Sequence, residues 1–202
     1  MKRKQPVYDS VAAHYDGWMR PLERLGLARL RAAALAEVAE SARLLEVGAG
    51  TGLNFRFYPS AAKTCACVEP SREMILRARE KPERPPASLL VQSFAEALPF
   101  DDDSFDAAFA TLVFCSVASP QDAFKELRRV VRAGGRVVLL EHVRPRGPLG
   151  YAFDALSLLT VSLFDDHFNR RTADEARRAG LEVTRVENHL LGVVQLIVCR
   201  VE

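Results

Sequence analysis

Apolar runs and polar breaks alternate along most of this chain. Arg43 to Val47, Thr64 to Val68, Ser88 to Val91, Phe105 to Thr111 and Arg136 to Glu141 are short apolar stretches bounded by polar or glycine turns. Helical stretches separate them, and strands alternating with helices predict a parallel sheet covered on both faces. The clearest helix precedes the last of these strands. It has Ser119 as N-cap, Pro120 at N1, Asp122 in the first turn, Gly134-Gly135 at the stop, and Ala123, Phe124, Leu127, Val130 and Val131 on one face. Residues 7 to 40 predict two helices separated near Pro21, the second carrying Leu22, Leu25, Leu30 and Leu35 with Arg24, Arg29 and Arg31 between them. After Glu141, Arg144 to Pro148 reads as a hinge-like break before an apolar helix from Leu149 to Phe164. A short helix, Thr172 to Ala179, then ends at Gly180. Two final strands, Leu181 to Val186 and Val193 to Val201, are joined by a short link and should pair antiparallel.

Composition narrows the picture. A chain of 202 residues is one domain by the usual prior, able to bury roughly 70% of its unfolded surface. A net charge of +2 with acids and bases interspersed argues against a dedicated nucleic-acid binder. The cysteines, Cys65, Cys67, Cys115 and Cys199, lack C-x-x-C spacing, so reduced thiols are expected, with neither a zinc site nor a disulfide framework. Basic Met1 to Lys4 is followed by polar residues that interrupt any signal-peptide core, so a cytoplasmic location is expected. Leu149 to Phe164 falls short of the roughly 20 residues of a membrane-spanning helix and predicts a buried or interfacial one.

The candidate chemistry begins at Leu44-Leu45-Glu46-Val47-Gly48-Ala49-Gly50-Thr51-Gly52, a strand ending in a glycine turn. Such glycines adopt positive φ and admit backbone N–H groups close to a ligand. Position 53 is Leu, so the dinucleotide fingerprint fails; no Gly-Lys-Ser/Thr follows, so a P-loop fails too. An acidic residue beside the loop suits a ligand with a free ammonium group and no pyrophosphate.

The remaining E-x-G-x-G-x-G pattern resembles motif I of the Rossmann-like S-adenosylmethionine (SAM) methyltransferases. Further likeness lies in Ser93-Phe94-Ala95-Glu96-Ala97-Leu98-Pro99-Phe100, Leu53 to Pro59, Thr111 to Val117 and Glu141-His142-Val143. It is strongest to the type 11 group, which includes ubiquinone and menaquinone C-methyltransferases, small phospholipid N-methyltransferases and methyltransferase-like thiol S-methyltransferases. The resemblance implies an α/β Rossmann-like fold: a seven-stranded doubly wound sheet with an antiparallel C-terminal hairpin. It also implies a helical cap over 1–42, a SAM-binding core over 43–144, acceptor-side helices over 145–180 and closing strands over 181–202.

Site residues follow from the same likeness. Gly48, Ala49, Gly50 and Gly52 admit the backbone to the amino acid end of SAM, and Glu46 binds its ammonium directly or through water. Glu69, followed by Pro70, lies 21 residues after Gly48, near the ~20-residue spacing of ribose-binding acids. The adenine is expected against Met74 and beside Ser93, Phe94 and Ala95, although Met74 and Phe94 read equally as core residues. Ser93-Phe94 stands where the family often has Gly-Asp, which leaves backbone groups to read the adenine edge. Tyr15 is expected to close over SAM, and Thr111 to lie below the methionine chain, opening onto the acceptor.

His142, at a strand end, is suited to taking a proton at neutral pH; hydrogen bonding within a loop is the competing role. Cys115 has no neighbouring base and is not expected to be a nucleophile. The apolar segment Leu149 to Phe164, with Phe168, would line a cavity for a lipophilic acceptor. A phospholipid amine such as phosphatidylethanolamine comes first, a thiol next, and a quinone precursor as the alternative. A nicotinamide oxidoreductase and a catalytically silent SAM-binding partner protein remain the readings of other classes. Residues 1 to 33 hold seven basic residues (Lys2, Arg3, Lys4, Arg20, Arg24, Arg29, Arg31) against three acids, beside Trp18, Met19, Leu22 and Leu25. They predict peripheral contact with the inner membrane face, unless the apolar residues pack on the sheet and the arginines are merely solvated.

Overall fold

The computed structural model describes residues 7–143 and 170–202. Its strands are β1 (Arg43–Val47), β2 (Thr64–Glu69), β3 (Ser88–Gln92), β4 (Phe105–Thr111), β5 (Val131–His142), β6 (Glu182–His189) and β7 (Val194–Arg200). They form one sheet in the order β3-β2-β1-β4-β5-β7-β6. The first five are parallel, and β7 lies antiparallel between β5 and β6. The chain winds outward from β1 to β3, then crosses back to β4 on the other side of β1. A switch of this kind opens a crevice at the carboxyl ends of β1 and β4, where open α/β sheets bind ligands.

Strand residues divide by parity between two cores. Leu45, Ala108, Ala110, Val137 and Leu139 join Phe124, Leu127 and Val130 of helix α4 (Pro120–Val130). Their neighbours Leu44, Phe109, Val138 and Leu140 join Ala34 and Leu35 of α2 (Ala28–Ala36) on the opposite face. Alternation of this kind, apolar on both sides, is why the strands read as continuous apolar runs. The cysteines are all free and buried, and burial pushes the Cys65 thiol up to about 11, which leaves it unreactive.

Three boundaries differ from expectation. Pro21 lies inside helix α1 (Ala12–Leu22) and does not separate the two N-terminal helices. The break comes at Gly26, whose φ of 126° is open to glycine and costly to other residues. Helix α4 stops at Val130, and Val131 already pairs with Phe105 as the start of β5. Gly134-Gly135 instead serves an irregularity in that strand, where the register shifts between Phe105 and Ala107; a Cβ on Gly135 would lie 2.7 Å from the Asp106 carbonyl oxygen. Ser119 occupies the N-cap position, but its hydroxyl donates to the Asp122 carboxylate at 2.7 Å and accepts nothing from the helix backbone. The segment from Arg144 to Arg146 through Leu149–Phe164 to Phe168 lies outside the described residues.

Candidate functional site

The glycine loop shows three different reasons for the same residue type. At Gly48 (φ 72°), a Cβ would lie 2.4 Å from the Val113 side chain of the turn after β4. At Gly52 (φ 83°), it would lie 2.4 Å from the Phe55 ring. At Gly50 (φ 56°), it would meet nothing within 4 Å. The first two glycines allow close packing, whereas the third faces open space at the sheet's crevice. The loop is fastened to β2 by the N–H groups of Gly48 and Ala49, which both donate to the Val68 carbonyl at 2.8 and 3.0 Å.

Glu69 completes this cradle from the end of β2. One carboxylate oxygen accepts from the Gly50 N–H at 2.9 Å and the other from the Ser71 N–H at 2.9 Å. The residue is 6% exposed, and burial pushes its carboxyl up to about 7, against the opposing pull of those two backbone donors. Each oxygen keeps a lone pair for a further donor. A carboxylate beside an open, Cβ-free loop therefore fits a vicinal diol with an amino acid chain laid over the glycines, the outline of SAM.

The other expected donor-site residues are of mixed character. Ser71 caps α3 (Arg72–Arg79) by accepting from the Met74 N–H at 3.2 Å, and Met74 is 2% exposed, in the position of an interior side chain. The Pro70 carbonyl accepts from the Gln92 amide at 3.1 Å, tying the end of β2 to β3. Ser93 donates to the Ala97 carbonyl at 2.7 Å, Ala95 is part of the core, and Phe94 is half-buried. Tyr15 stands half-buried on α1, edge-on to Tyr8 at 6.2 Å. Two aspartates bring this N-terminal region onto the loop: Asp16 accepts from the Thr51 hydroxyl and pairs with Lys81, while Asp9 accepts from the Ser71 hydroxyl.

Two site residues have partners other than those expected, because of a side chain the sequence did not single out. Arg31, expected as a helix-surface charge, is 3% exposed. It pairs with Glu23 at 2.8 Å and donates to Asn54 Oδ1 at 2.9 Å and to the Thr111 hydroxyl at 2.5 Å. The Thr111 hydroxyl is thus held by Arg31 and Asn54. Asn54 also donates to Thr111 at 2.8 Å and to Glu46 at 2.5 Å, and the second Glu46 oxygen accepts from Tyr58. Glu46 is 1% exposed, with its carboxyl raised above the usual range by burial. Its carboxylate accepts from Asn54 and Tyr58, protein groups of this network, whereas the sequence predicts an ammonium ligand. The only local signal was a Tyr-Pro and an Asn within twelve residues of Glu46; nothing in the sequence joined Arg31 to them.

The turn after β4 is organised by Glu141. Its buried carboxylate accepts from the N–H groups of Val113 and Phe114 at 3.0 and 3.2 Å, just beyond Leu112, whose φ is 58°. Phe114 stacks on Phe124 at 4.4 Å, and Cys115 is 3% exposed, so both are core residues. His142 ends β5, half-buried and paired in register with Val194. A cavity of about 440 Å³ adjoins this strand end, bounded by Val143, Arg170, Asp174, Arg177, Asn188 and Gln195 among the described residues.

Comparison with known proteins agrees with this geometry. Residues 45–139 match the methyltransferase domain family of type 11. The chain is 37% identical over 143 residues to a phosphatidylethanolamine N-methyltransferase of Cereibacter sphaeroides, covering 67% of this chain and 70% of that one. It is 31% identical to a ubiquinone/menaquinone biosynthesis C-methyltransferase of Hahella chejuensis, over 94% of this chain and 88% of the relative. A thiol S-methyltransferase of Mus musculus is 31% identical over 71% of this chain, which spans 62% of that relative's length. The fold is similar to that of a SAM-dependent methyltransferase from Thermotoga maritima described as a possible histamine N-methyltransferase, with a TM-score of 0.75 at 23% identity over 97% of this chain and 99% of that one.

Proposed function

Because the chain belongs to the type 11 family of SAM-dependent methyltransferases, we propose that the cradle of Gly50 and Glu69 holds the donor and that the acceptor is lipophilic. A phospholipid amine of the phosphatidylethanolamine kind is favoured, a thiol comes next and a quinone precursor third. The observation that carries the donor assignment is the open side of Gly50 with its N–H 2.9 Å from the Glu69 carboxylate. The preference for phosphatidylethanolamine is supported by the 37% identity to the Cereibacter sphaeroides enzyme. A polar cavity with Arg170 and Arg177 beside the end of β5 suits a charged headgroup.

Bound SAM supplies a methyl group already activated on a sulfonium. The protein's task is then to align the acceptor at roughly 3 Å and to exclude water. Gly50 gives the donor close backbone approach while Gly48 and Gly52 let the loop pack tightly beneath it, Glu69 anchors the ribose, and Tyr15 covers the donor. His142, at the carboxyl end of β5, takes the proton that an ammonium or thiol acceptor must lose before its lone pair attacks.

Calorimetry with SAM and S-adenosylhomocysteine tests the donor assignment, with 1:1 binding of both expected. Binding of NADH and neither of these would overturn it. A panel of phosphatidylethanolamine, small thiols, quinone precursors and simple amines tests the acceptor; failure of every member to be methylated would favour a silent SAM-binding protein. His142→Ala should lower turnover, leave SAM affinity unchanged and abolish the acidic limb of the pH profile.

A further inference from the structure

Large apolar side chains stand exposed in two places near the cap. Trp18, Leu22 and Leu25 are 59%, 51% and 77% exposed, and Leu190 and Leu191, in the turn between β6 and β7, are 53% and 93% exposed. One buried cluster takes residues next to both in the chain: Leu27 and Val194 belong to it, with Met19 and Val193 packed against it. Chain neighbours of both exposed sets therefore contribute to the same buried cluster. Leu190 and Leu191 have φ of 49° and 59°, a costly region for side chains of this kind. Backbone strain that turns two leucines into solvent is the sort of outlier that marks a functional surface.

The charge around Trp18, Leu22 and Leu25 is mainly basic, although Glu83, which is exposed, lines the same cavity as Arg20. Arg20, Arg24 and Arg29 are exposed and make no ion pair among the described residues. Two other nearby acids are already engaged: Asp16 by Lys81 and Thr51, Glu23 by Arg31 and Arg56. Arg31 drops out of the basic set predicted from sequence, Met19 is half-buried, and Lys2, Arg3 and Lys4 lie outside the described residues. No helix of the described residues is long and apolar enough to cross a membrane.

We propose that this face seats on an anionic phospholipid bilayer. Trp18 lies at the headgroup level, Leu22, Leu25, Leu190 and Leu191 enter the acyl boundary, and Arg20, Arg24 and Arg29 match the anionic headgroups. The attachment is peripheral and reversible. It rests on the lipid-acceptor reading above, since an enzyme acting on a phospholipid must meet it at a surface.

The test is cosedimentation of the full chain with vesicles of phosphatidylcholine alone or mixed with phosphatidylglycerol, at low and high salt. Alongside it, methyl transfer to detergent-dispersed phosphatidylethanolamine and SAM affinity are measured. Binding should require the anionic lipid and fall with salt. The triple variant Trp18→Ser, Leu22→Ser, Leu25→Ser should lose it, Leu191→Ser should weaken it, and Arg20→Gln, Arg24→Gln, Arg29→Gln should weaken it about a hundredfold. All of these should keep the parent's SAM affinity. Equal binding to neutral vesicles, no binding at low salt, or an unaffected serine variant would overturn the inference. So would a dimer in solution that the serine variant breaks, which would assign the face to a second copy of the chain. Methylation of dispersed lipid without vesicle binding would remove the surface and keep the acceptor; vesicle binding without lipid methylation would do the reverse.

Discussion

The glycine loop and the polar cluster under the N-terminal helices meet at the same crevice but are assembled differently. Gly48, Gly50 and Gly52 come from five consecutive residues, and the partner that matters most, Glu69, is one strand away. The cluster draws Glu23 and Arg31 from the cap, Glu46 from β1, Asn54 and Tyr58 from the following turn, and Thr111 from β4. The loop needs particular backbone angles, which a short motif can specify. A buried charge needs several partners at once, which only the assembled fold can bring. The loop should therefore fail in ligand binding when altered, and the cluster in stability.

Arg31→Ala should produce the largest effect. It leaves Asn54 and Thr111 buried with a donor gone and half-buried Glu23 with only Arg56, and removal of one member of a buried ion pair costs about 3–5 kcal/mol. Urea unfolding would measure it, and a loss under 1 kcal/mol, within the range of a surface pair, would dissolve the contrast between the two regions. Glu69→Ala should act the other way, weakening SAM by about 1.5–3 kcal/mol as charge-assisted hydrogen bonds are lost, with folding largely intact. Calorimetry at constant pH would show it; unchanged affinity would reduce Glu69 to a structural clasp for Gly50 and Ser71.

A pH titration separates the two roles of Glu69. Its folded value of about 7 lies above the ordinary 4.5, so its contribution to stability is complete below the ordinary value and is lost as pH rises through about 7. Donor affinity should move oppositely, because the ionised carboxylate is the better acceptor of ribose hydroxyls. About tenfold weaker binding at roughly pH 6 than at roughly pH 8, near 1.4 kcal/mol, is expected, with proton release at neutral pH. Glu69→Gln should flatten both curves; a dependence that survives in the variant would place its origin elsewhere. A modest stability effect should belong to Gly50→Ala, about 1 kcal/mol for a Cβ at positive φ that touches nothing, yet the same Cβ should obstruct the donor. Gly48→Ala should cost more, because Val113 has to move. Equal thermal shifts in the two variants would mean that the open space at Gly50 has no special part.

Much of the fold was legible from local pattern. The bounds of β1 and β4, the start and apolar face of α4 and the closing antiparallel pair follow from apolar period and punctuation. The exceptions are instructive. Gly134-Gly135 looks like a helix stop until β4 pairs with β5 and requires an irregular strand, and Pro21 looks like a break until Gly26 takes the real one. In the site, the glycines and Glu69 announce themselves by spacing. Thr111 and Glu46 stand out in the sequence as candidates, but their partners do not, because Arg31 lies 80 residues from Thr111 in the chain.

Local sequence determined what a few neighbouring residues can fix: strands with apolar faces, a loop of positive φ, a carboxylate a set distance after it, and a family pattern that implies SAM. Tertiary structure decided which polar side chains are inside. An arginine on an amphipathic helix is equally ready for water or for burial, and its side depends on whether distant segments offer enough carboxylate, amide and hydroxyl groups to replace hydration. For Arg31, Glu23, Asn54 and Thr111 do so; Arg20, Arg24 and Arg29, two to eleven residues away, make no ion pair among the described residues and remain at the surface.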